Sequence, residues 1–331
     1  MRTVRVENLD DSKYESQITL EGGREGDLVG GSRPRLVLTH KENKKKYIFK
    51  SYLHKPEEVI SECLASRIGA ILGLNIQQVT IRRLSPELVD KLRERSNKFP
   101  PGWVPVGTLA SNIFPKTQEI KYGASILGTP SDKLALTTIE GRIRSTYYAA
   151  DDLLESFARM IVFDAIIGNM DRHHENWGVV DTKSFRVSLL ASKSKQLQNK
   201  RHFTPLYDHG SSLLFELSEP QIANYLKNEV LFEKKYILSA KYTFILLPDE
   251  KTANVFSIIG YHIESDDVWG KRFTKAIREI CRGCNYLEIA KNIIQMPSAN
   301  SEIVYTPNRK ELVYRSVILR ITRLLDMIEG R

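Results

Sequence analysis

The segment DDLLESFARMIVFDAII, residues 151–167, constrains the fold more than any other stretch of this 331-residue chain. Its second half is apolar on nearly every side, so a helix built from it must run through a core. Asp151 stands where an N-cap belongs, and Gly168 follows the last apolar residue as a helix-ending glycine does. Next comes the polar run GNMDRHHEN, then strand-like WGVVD, FRVSLLA, the basic insertion SKSKQLQNKRH (192–202) and strand-like FTPLYD. A buried helix that stops at a polar loop, with strands behind it, presents that loop at a fixed place.

The chain ahead of this helix reads as a small sheet. TVRVENL, RLVLTH (35–40) and KYIFKSY (46–52) alternate as strands do, with the polar turn KENKK between the last two, and together predict an antiparallel meander. Residues 22–31 hold five glycines in a loop able to bring backbone close to a ligand. From Glu57 to Leu72 the residues Val59, Ile60, Cys63, Leu64, Ile68, Ile71 and Leu72 recur at helical spacing, with Gly73 as the stop. QQVTIRRL reads as a further strand and residues 96–130 as a connector. Beyond Ser218 helical patterns dominate, clearest over 311–328. The expected class is α+β and bilobal: a sheet-rich N-lobe with one helix over residues 1–110, and a larger, mainly helical C-lobe over 111–327. Residues 328–331, Ile-Glu-Gly-Arg, match a protease site used to remove tags and are set aside as a tail.

Composition adds only bounds. The 49 Lys and Arg against 40 Asp and Glu give a formal charge of +9, which favours phosphate-bearing or acidic partners without choosing among them. Three cysteines, Cys63, Cys281 and Cys284, are too few for a disulfide framework in a chain of this length, so a reducing cytoplasm is expected. No apolar run is long enough to span a membrane or serve as a signal peptide. Cys281 and Cys284 form a lone CxxC with no second pair to complete a zinc site; two helix cysteines a turn apart are the plainer reading.

Phosphoryl transfer needs an in-line nucleophile, a magnesium ion held by hard oxygens, and an acidic group facing the attacking hydroxyl. Asp171 and Asn176 are five residues apart in the loop after the buried helix, the spacing of the catalytic loop of protein kinases. Asp171 suits the role of base. The Asn176 amide oxygen can bind a metal without adding charge. Asp208, in LYDHGSS, supplies a carboxylate for the same ion, and Asp-x-Gly at 208–210 resembles the kinase magnesium loop. Upstream, Lys50 lies on a strand and Glu62 on the helix after it, the order of the lysine and glutamate that pair beside ATP phosphates. Gly30, Gly31 and Ser32 belong to a loop whose N–H groups would cover those phosphates. Val104 and Val106 mark the stretch where an adenine pocket is expected. His173 is read as a nucleotide-side contact, although His173 and His174 also read as ordinary polar loop residues.

GNMDRHHENWGVV together with PLYDHGSSL resembles the HipA-like kinases. VGGSRPRLVL resembles their phosphate loop and its strand, and Phe49–Lys50 with SECLASRIGAILGLNI (61–76) resembles the lysine and the glutamate-bearing helix. The likeness covers roughly residues 28 to 215. It implies a protein-kinase-like fold, ATP with Mg2+ as cofactors, transfer to a Ser or Thr of a protein substrate, and often a toxin–antitoxin setting with an antitoxin partner. By position it makes Lys50 the phosphate contact, Glu62 its partner, Asp171 the base, Asn176 and Asp208 the magnesium ligands, and Ser32 a candidate for autophosphorylation. Arg33 and Arg35 stand about where such loops carry a Gln and a Lys. The length is too short for the extra N-terminal subdomain of full-length HipA, so a stand-alone kinase is expected.

Two rival functions follow from the same residues. A lipid or small-molecule kinase is one, because phosphatidylinositol kinases also use an Asp-Arg-His…Asn loop. A non-catalytic pseudokinase or nucleic-acid-binding module that uses the basic surface is the other; the intact set Asp171, Asn176 and Asp208 argues against it. No direct nucleic-acid binding is expected, since residues 192–202 lack interleaved aromatics and read as a solvated hairpin tip. Near an acidic protein substrate that tip could assist docking.

Overall fold

The computed structural model describes residues 6–17, 35–51, 57–95, 105–111, 119–129, 133–148, 150–182, 200–239, 242, 244–247, 253–296, 303 and 305–330. The first part of the chain builds β1 (Glu7–Asn8), β2 (Tyr14–Gln17), β3 (Arg35–His40), β4 (Lys46–Ser51), α1 (Glu57–Ile71), β5 (Val79–Arg83), α2 (Pro86–Arg95) and β6 (Val106–Ser111). Its strands form one sheet in the order β1-β5-β6-β4-β3-β2. The meander is there as β2-β3-β4, antiparallel throughout. The described part of the TVRVENL run does not belong to it: β1 lies at the opposite edge and pairs parallel with β5, Glu7 against Arg82.

The stretch 96–130, expected to be a connector, instead supplies an interior strand. β6 is hydrogen-bonded to β4 on one side and β5 on the other. Its sequence, VGTLAS, carries little β-branched or alternating apolar signal, because neighbours on both sides rather than its own propensity make it a strand. Gly107 is the clearest case. A Cβ there would lie 2.2 Å from the Lys50 carbonyl and 2.6 Å from the Phe49 ring, so only glycine lets the two strands approach. The short helix α2 was also unforeseen; the Ser85 hydroxyl accepts the Leu88 N–H (3.2 Å) at its start.

Strand alternation sorts the residues of β4. Phe49 turns to a small cluster with Leu36, Leu38, Leu88, Val89 and Leu109 beneath α2. Lys50 therefore faces the other side, in register with Thr108, where Val106 and Ala110 join the main core with α1. Helix α1 is buried along almost its whole length, Glu62 included, and packs on β5, β6 and the late helix Tyr286–Gln295. Gly73, with φ of 70°, ends it as expected.

The rest of the chain adds β7 (Glu119–Tyr122), α3 (Gly123–Leu127), β8 (Leu134–Ala135), α4 (Leu136–Thr146), α5 (Asp151–Ile167), β9 (Gly178–Thr182), β10 (Lys200–Phe203), α6 (Glu219–Lys227), α7 (Glu229–Phe232), β11 (Ile245–Leu246), α8 (Val255–Glu264), α9 (Val268–Cys281), α10 (Tyr286–Gln295) and α11 (Pro307–Glu329). Strands β10-β9-β7 make a three-stranded antiparallel sheet. Helix α5 is the central rod, packed by α8, α9, α11 and β10; every residue from Met160 to Ile167 is buried. Its N-cap is Ala150, with no side-chain cap. The Asp151 carboxylate goes instead to Arg144 (2.7 Å) and Arg272 (2.9 Å), because two guanidiniums outcompete the N-terminal N–H groups for one anion. Helix α11 runs on to Glu329, with Ile328 buried. The fold is thus α+β and bilobal, a sheet-rich part followed by a helical one.

Replacing Gly107 with Ala is expected to lower stability by about 1–3 kcal/mol, the usual cost of forcing an atom into a packed interior. A urea melt should show the midpoint falling with an unchanged slope; an unchanged midpoint would contradict the close approach of β4 and β6.

Candidate active site

The site is built on a charge that α5 buries. Asp164 sits with no exposed surface in an apolar helical turn, and an unpaired carboxylate there would be prohibitively costly. Its partner is Arg172, eight residues on and equally buried. The guanidinium grips the carboxylate as a fork, Nε to Oδ2 at 2.9 Å and Nη2 to Oδ1 at 2.8 Å. Nη1 donates to the carbonyls of Asn176 (2.8 Å) and Tyr207 (2.9 Å), and Nη2 also meets His209 Nδ1 at 3.1 Å. All five N–H donors of the guanidinium thereby find acceptors. Burial alone would lower the Arg172 pKa; the Asp164 carboxylate more than offsets it, so the group is held charged, above its usual range. Asp164 accepts further from Asn169 Nδ2 (3.0 Å) and the Tyr242 hydroxyl (2.5 Å).

This pair shapes the loop after α5. Gly168 turns the chain with φ of 66°. The Asn169 side chain, tied to Asp164, accepts the Asp171 N–H at 3.2 Å, and Asn176 Nδ2 donates to the Asp171 carbonyl at 3.2 Å. Asn176 is buried while Asp171 is exposed, which suits a ligand at the bottom of a site and a base at its mouth. His173 Nδ1 accepts the Glu175 N–H (3.3 Å), a bond internal to the loop. Trp177, fully buried, closes the loop by stacking on Phe203 with ring centroids 5.7 Å apart.

Asp208 arrives from the other side. Leu206, two residues before it, forms a parallel bridge to Ile76, with Gln77 N–H on the Leu206 carbonyl (2.9 Å) and Leu206 N–H on the Asn75 carbonyl (2.8 Å). The turn that ends α1 therefore fixes the approach to Asp208, whose φ is 61°. Lys50 Nζ bonds the Asp208 carboxylate. Glu62 Oε2 accepts the His209 N–H at 2.8 Å, so the strand lysine and the helix glutamate converge on one turn. His209 is buried edge-on against Phe163. Burial, then the Arg172 cation, holds its pKa well below the usual value, and the ring is neutral.

Of the residues expected from the sequence, Lys50 bonds the Asp208 carboxylate and Glu62 the adjacent His209 N–H, Arg172 links the Asn176 and Tyr207 carbonyls, and Asp171 joins through its backbone N–H and carbonyl, while Val106 shares the inner face of the sheet with Lys50. Gly30, Gly31, Ser32, Arg33, Val104, the expected strand FRVSLLA and residues 192–199 of the insertion lie outside the described residues. Sequence reasoning missed Asp164, Arg172 and His209. The signal was available: a lone acid inside MIVFDAII must find a cation, and Arg172 is close by in the chain. The donor set suits magnesium. An amide oxygen and a carboxylate are hard ligands, and among the described residues no three His, Cys, Asp or Glu side chains gather into a self-sufficient cage. A cation here would share its coordination with phosphate oxygens, as Mg2+ does in nucleotide sites. Of the CxxC, Cys281 is the last residue of α9 and Cys284 lies beyond the helix, so the two are not helix cysteines a turn apart; burial, with Cys284 adding to it, pushes the Cys281 thiol up to about 12. Among the described residues no helix is long and apolar enough to cross a membrane.

No protein-family model matches the chain, and no curated protein matches it. Solved structures do. The Helicobacter pylori proinflammatory kinase CtkA aligns over 90% of this chain and 93% of its own, with a TM-score of 0.66 at 17% identity. HipA in the Shewanella oneidensis MR-1 complex of HipA, HipB and operator DNA aligns over 94% of this chain and 68% of its own, with a TM-score of 0.53 at 15% identity. The chain shares their fold.

Removing one member of a buried ion pair strands the other, so Arg172→Ala is expected to cost about 3–5 kcal/mol of stability in a denaturant melt; a loss under 1 kcal/mol would show that the pair does not organise the core. His209 predicts the pH response. Its folded pKa is depressed, so the unfolded chain binds the extra proton, and the stability is complete above the unfolded pKa of about 6.5. Stability should fall as pH drops from about 6.5 toward the folded value, with a slope of up to about 1.4 kcal/mol per pH unit from this group. Melts at stepped pH should show that slope reduced in His209→Gln, and an identical slope in both proteins would contradict it.

Proposed function

We propose that this chain is an ATP-dependent serine/threonine protein kinase of the HipA-like kind. One observation carries the reading: Lys50 bonds the Asp208 carboxylate, Glu62 bonds the N–H of the next residue, His209, and Arg172 joins that segment, through the Tyr207 carbonyl, to the loop that holds Asp171 and Asn176. The fold shared with CtkA and HipA supports it.

Asn176 and Asp208 would hold Mg2+, which when bound neutralises charge between the nucleotide phosphates. Lys50 would leave the Asp208 carboxylate for a phosphate oxygen, a short exchange because the two already touch. Glu62 keeps the 208–209 turn in place through the His209 N–H. The acceptor hydroxyl attacks the γ-phosphorus in line as the bond to the bridging oxygen of ADP breaks; its proton passes to the Asp171 carboxylate, and ADP leaves with the electron pair. Ser32 is the serine proposed for autophosphorylation; the added charge beside the phosphates would oppose nucleotide binding. The likeness to HipA, seen with HipB and operator DNA, supports an antitoxin-type partner and a toxin role. In this reading any DNA contact belongs to that partner. Three free thiols suit a reducing cytoplasm.

Incubation with Mg2+ and labelled ATP should place phosphate on a serine or threonine of the chain or of an added protein. Asp171→Ala should lower that transfer by about 100-fold or more without moving the thermal midpoint, because the side chain is exposed. Label found only in added lipid would overturn protein phosphorylation; no transfer at all would overturn the kinase reading. Asp208→Asn releases Lys50, so it should bind ATP in EDTA at least as tightly as the parent while losing the tightening that Mg2+ brings. Weaker binding in EDTA would contradict the exchange.

A further inference from the structure

The backbone after Asp208 is one that its side chains do not favour. Asp208, Leu213 and Leu214 have φ of 61°, 53° and 65°. An aspartate tolerates that region; two successive leucines adopt it only where surrounding bonds impose it. At the near end those bonds come from Glu62 and Arg172. In the middle, Ser212 Oγ donates to the His209 carbonyl (2.6 Å) and the Leu213 N–H to the Ile167 carbonyl (2.9 Å).

The far end is held by a side chain from α11. Arg309, 2% exposed, donates Nη1 to the Leu214 carbonyl (2.9 Å) and Nη2 to the Leu217 carbonyl (2.5 Å). Its Nε meets Glu219 Oε1 at 2.9 Å. Glu219 Oε2 accepts the hydroxyl of Thr306 (2.6 Å), the residue that caps α11 and receives the Arg309 N–H at 3.1 Å. The start of α11 is thereby bonded both to the start of α6 and to the strained turn that precedes α6.

We infer that Arg309 is a positioning residue for the cation-binding loop: by holding the Leu214 and Leu217 carbonyls it keeps the Leu213–Leu214 turn left-handed and so sets the direction of the Asp208 carboxylate. This rests on the kinase reading above. Without the guanidinium the turn is free to relax toward ordinary φ. Four residues separate Asp208 from Leu213, and the Ser212 hydroxyl ties the far part of that stretch to the His209 carbonyl, so a shift at Leu213 is passed to the residue beside Asp208. Outer partners that orient a metal ligand change metal affinity far more than they change the binding of the rest of the ligand. A simple staple between α6 and α11 would weaken the fold and leave the cation requirement alone.

The test uses the full chain as parent, Arg309→Ala, Arg309→Lys and Glu219→Gln. ATP binding is measured in EDTA, then the Mg2+ concentration giving half of its full effect at fixed ATP. Arg309→Ala should need about tenfold more Mg2+ or greater, Arg309→Lys less than that, and ATP affinity in EDTA should be unchanged. Glu219→Gln, altered at a half-exposed carboxylate, should shift the Mg2+ requirement in the same direction by a smaller factor, and it decides the matter if Arg309→Ala does not fold. Folded variants with the parent's Mg2+ requirement would overturn the inference, as would an equal loss of binding in EDTA. A parent that binds no ATP with or without Mg2+ would overturn the kinase reading itself, a separate result.

Discussion

The Asp164–Arg172 pair is the constraint on which the remaining geometry depends. A carboxylate placed in the middle of an apolar helix needs a charged, hydrogen-bonding partner, and the partner comes from the loop that the helix delivers. Once Arg172 is committed to Asp164, its other donors reach only what lies around them: the carbonyl of Asn176 on its own loop and the carbonyl of Tyr207 beside Asp208. One side chain therefore sets the distance between two loops far apart in the chain. The cost of burying two charges is met by geometry, since every donor of the guanidinium is used and His209, kept neutral, takes the last of them.

The sheet-rich part reaches this hub along residues 206–209, bridged by Ile76 and bonded by Lys50 and Glu62. Lys50 is aimed by the alternation of β4, whose Phe49 must go under α2, and Glu62 by a helix that is buried along nearly all its length. Both end on residues 208–209. A stretch bonded at Tyr207 by Arg172, at Asp208 by Lys50, at His209 by Glu62 and at Leu214 and Leu217 by Arg309 has little freedom left. That explains how it sustains left-handed φ at Asp208 and at two leucines.

Much of this was legible in the sequence, for reasons that differ by residue. The all-round apolar face of residues 160–167 announced a buried rod, and the order of Lys50, Glu62 and Asp208 in the sequence agrees with their bonds at residues 208–209. The hub was not legible, because an arginine in a polar loop looks solvated until its acceptors are known; only the stranded acid at Asp164 hinted at it. Strand β6 escaped because Gly107 and Thr108 erase the alternation that marks a strand, although the glycine is there for the closeness of β4. Asp151 was misread as a cap since nothing local shows that Arg144 and Arg272 would claim it. The misplacement of β1 has a similar cause: an alternating run shows that a strand forms, not which edge it joins.

A crystal structure with Mg2+ and a non-hydrolysable ATP analogue tests the central claim most directly. The account predicts a cation bound by the Asn176 amide oxygen and the Asp208 carboxylate at about 2.1 Å, with the Arg172 bonds to the Asn176 and Tyr207 carbonyls intact and Lys50 moved from Asp208 to a phosphate. A nucleotide bound elsewhere, or a cation that leaves either Asn176 or Asp208 well outside coordination distance, would contradict it.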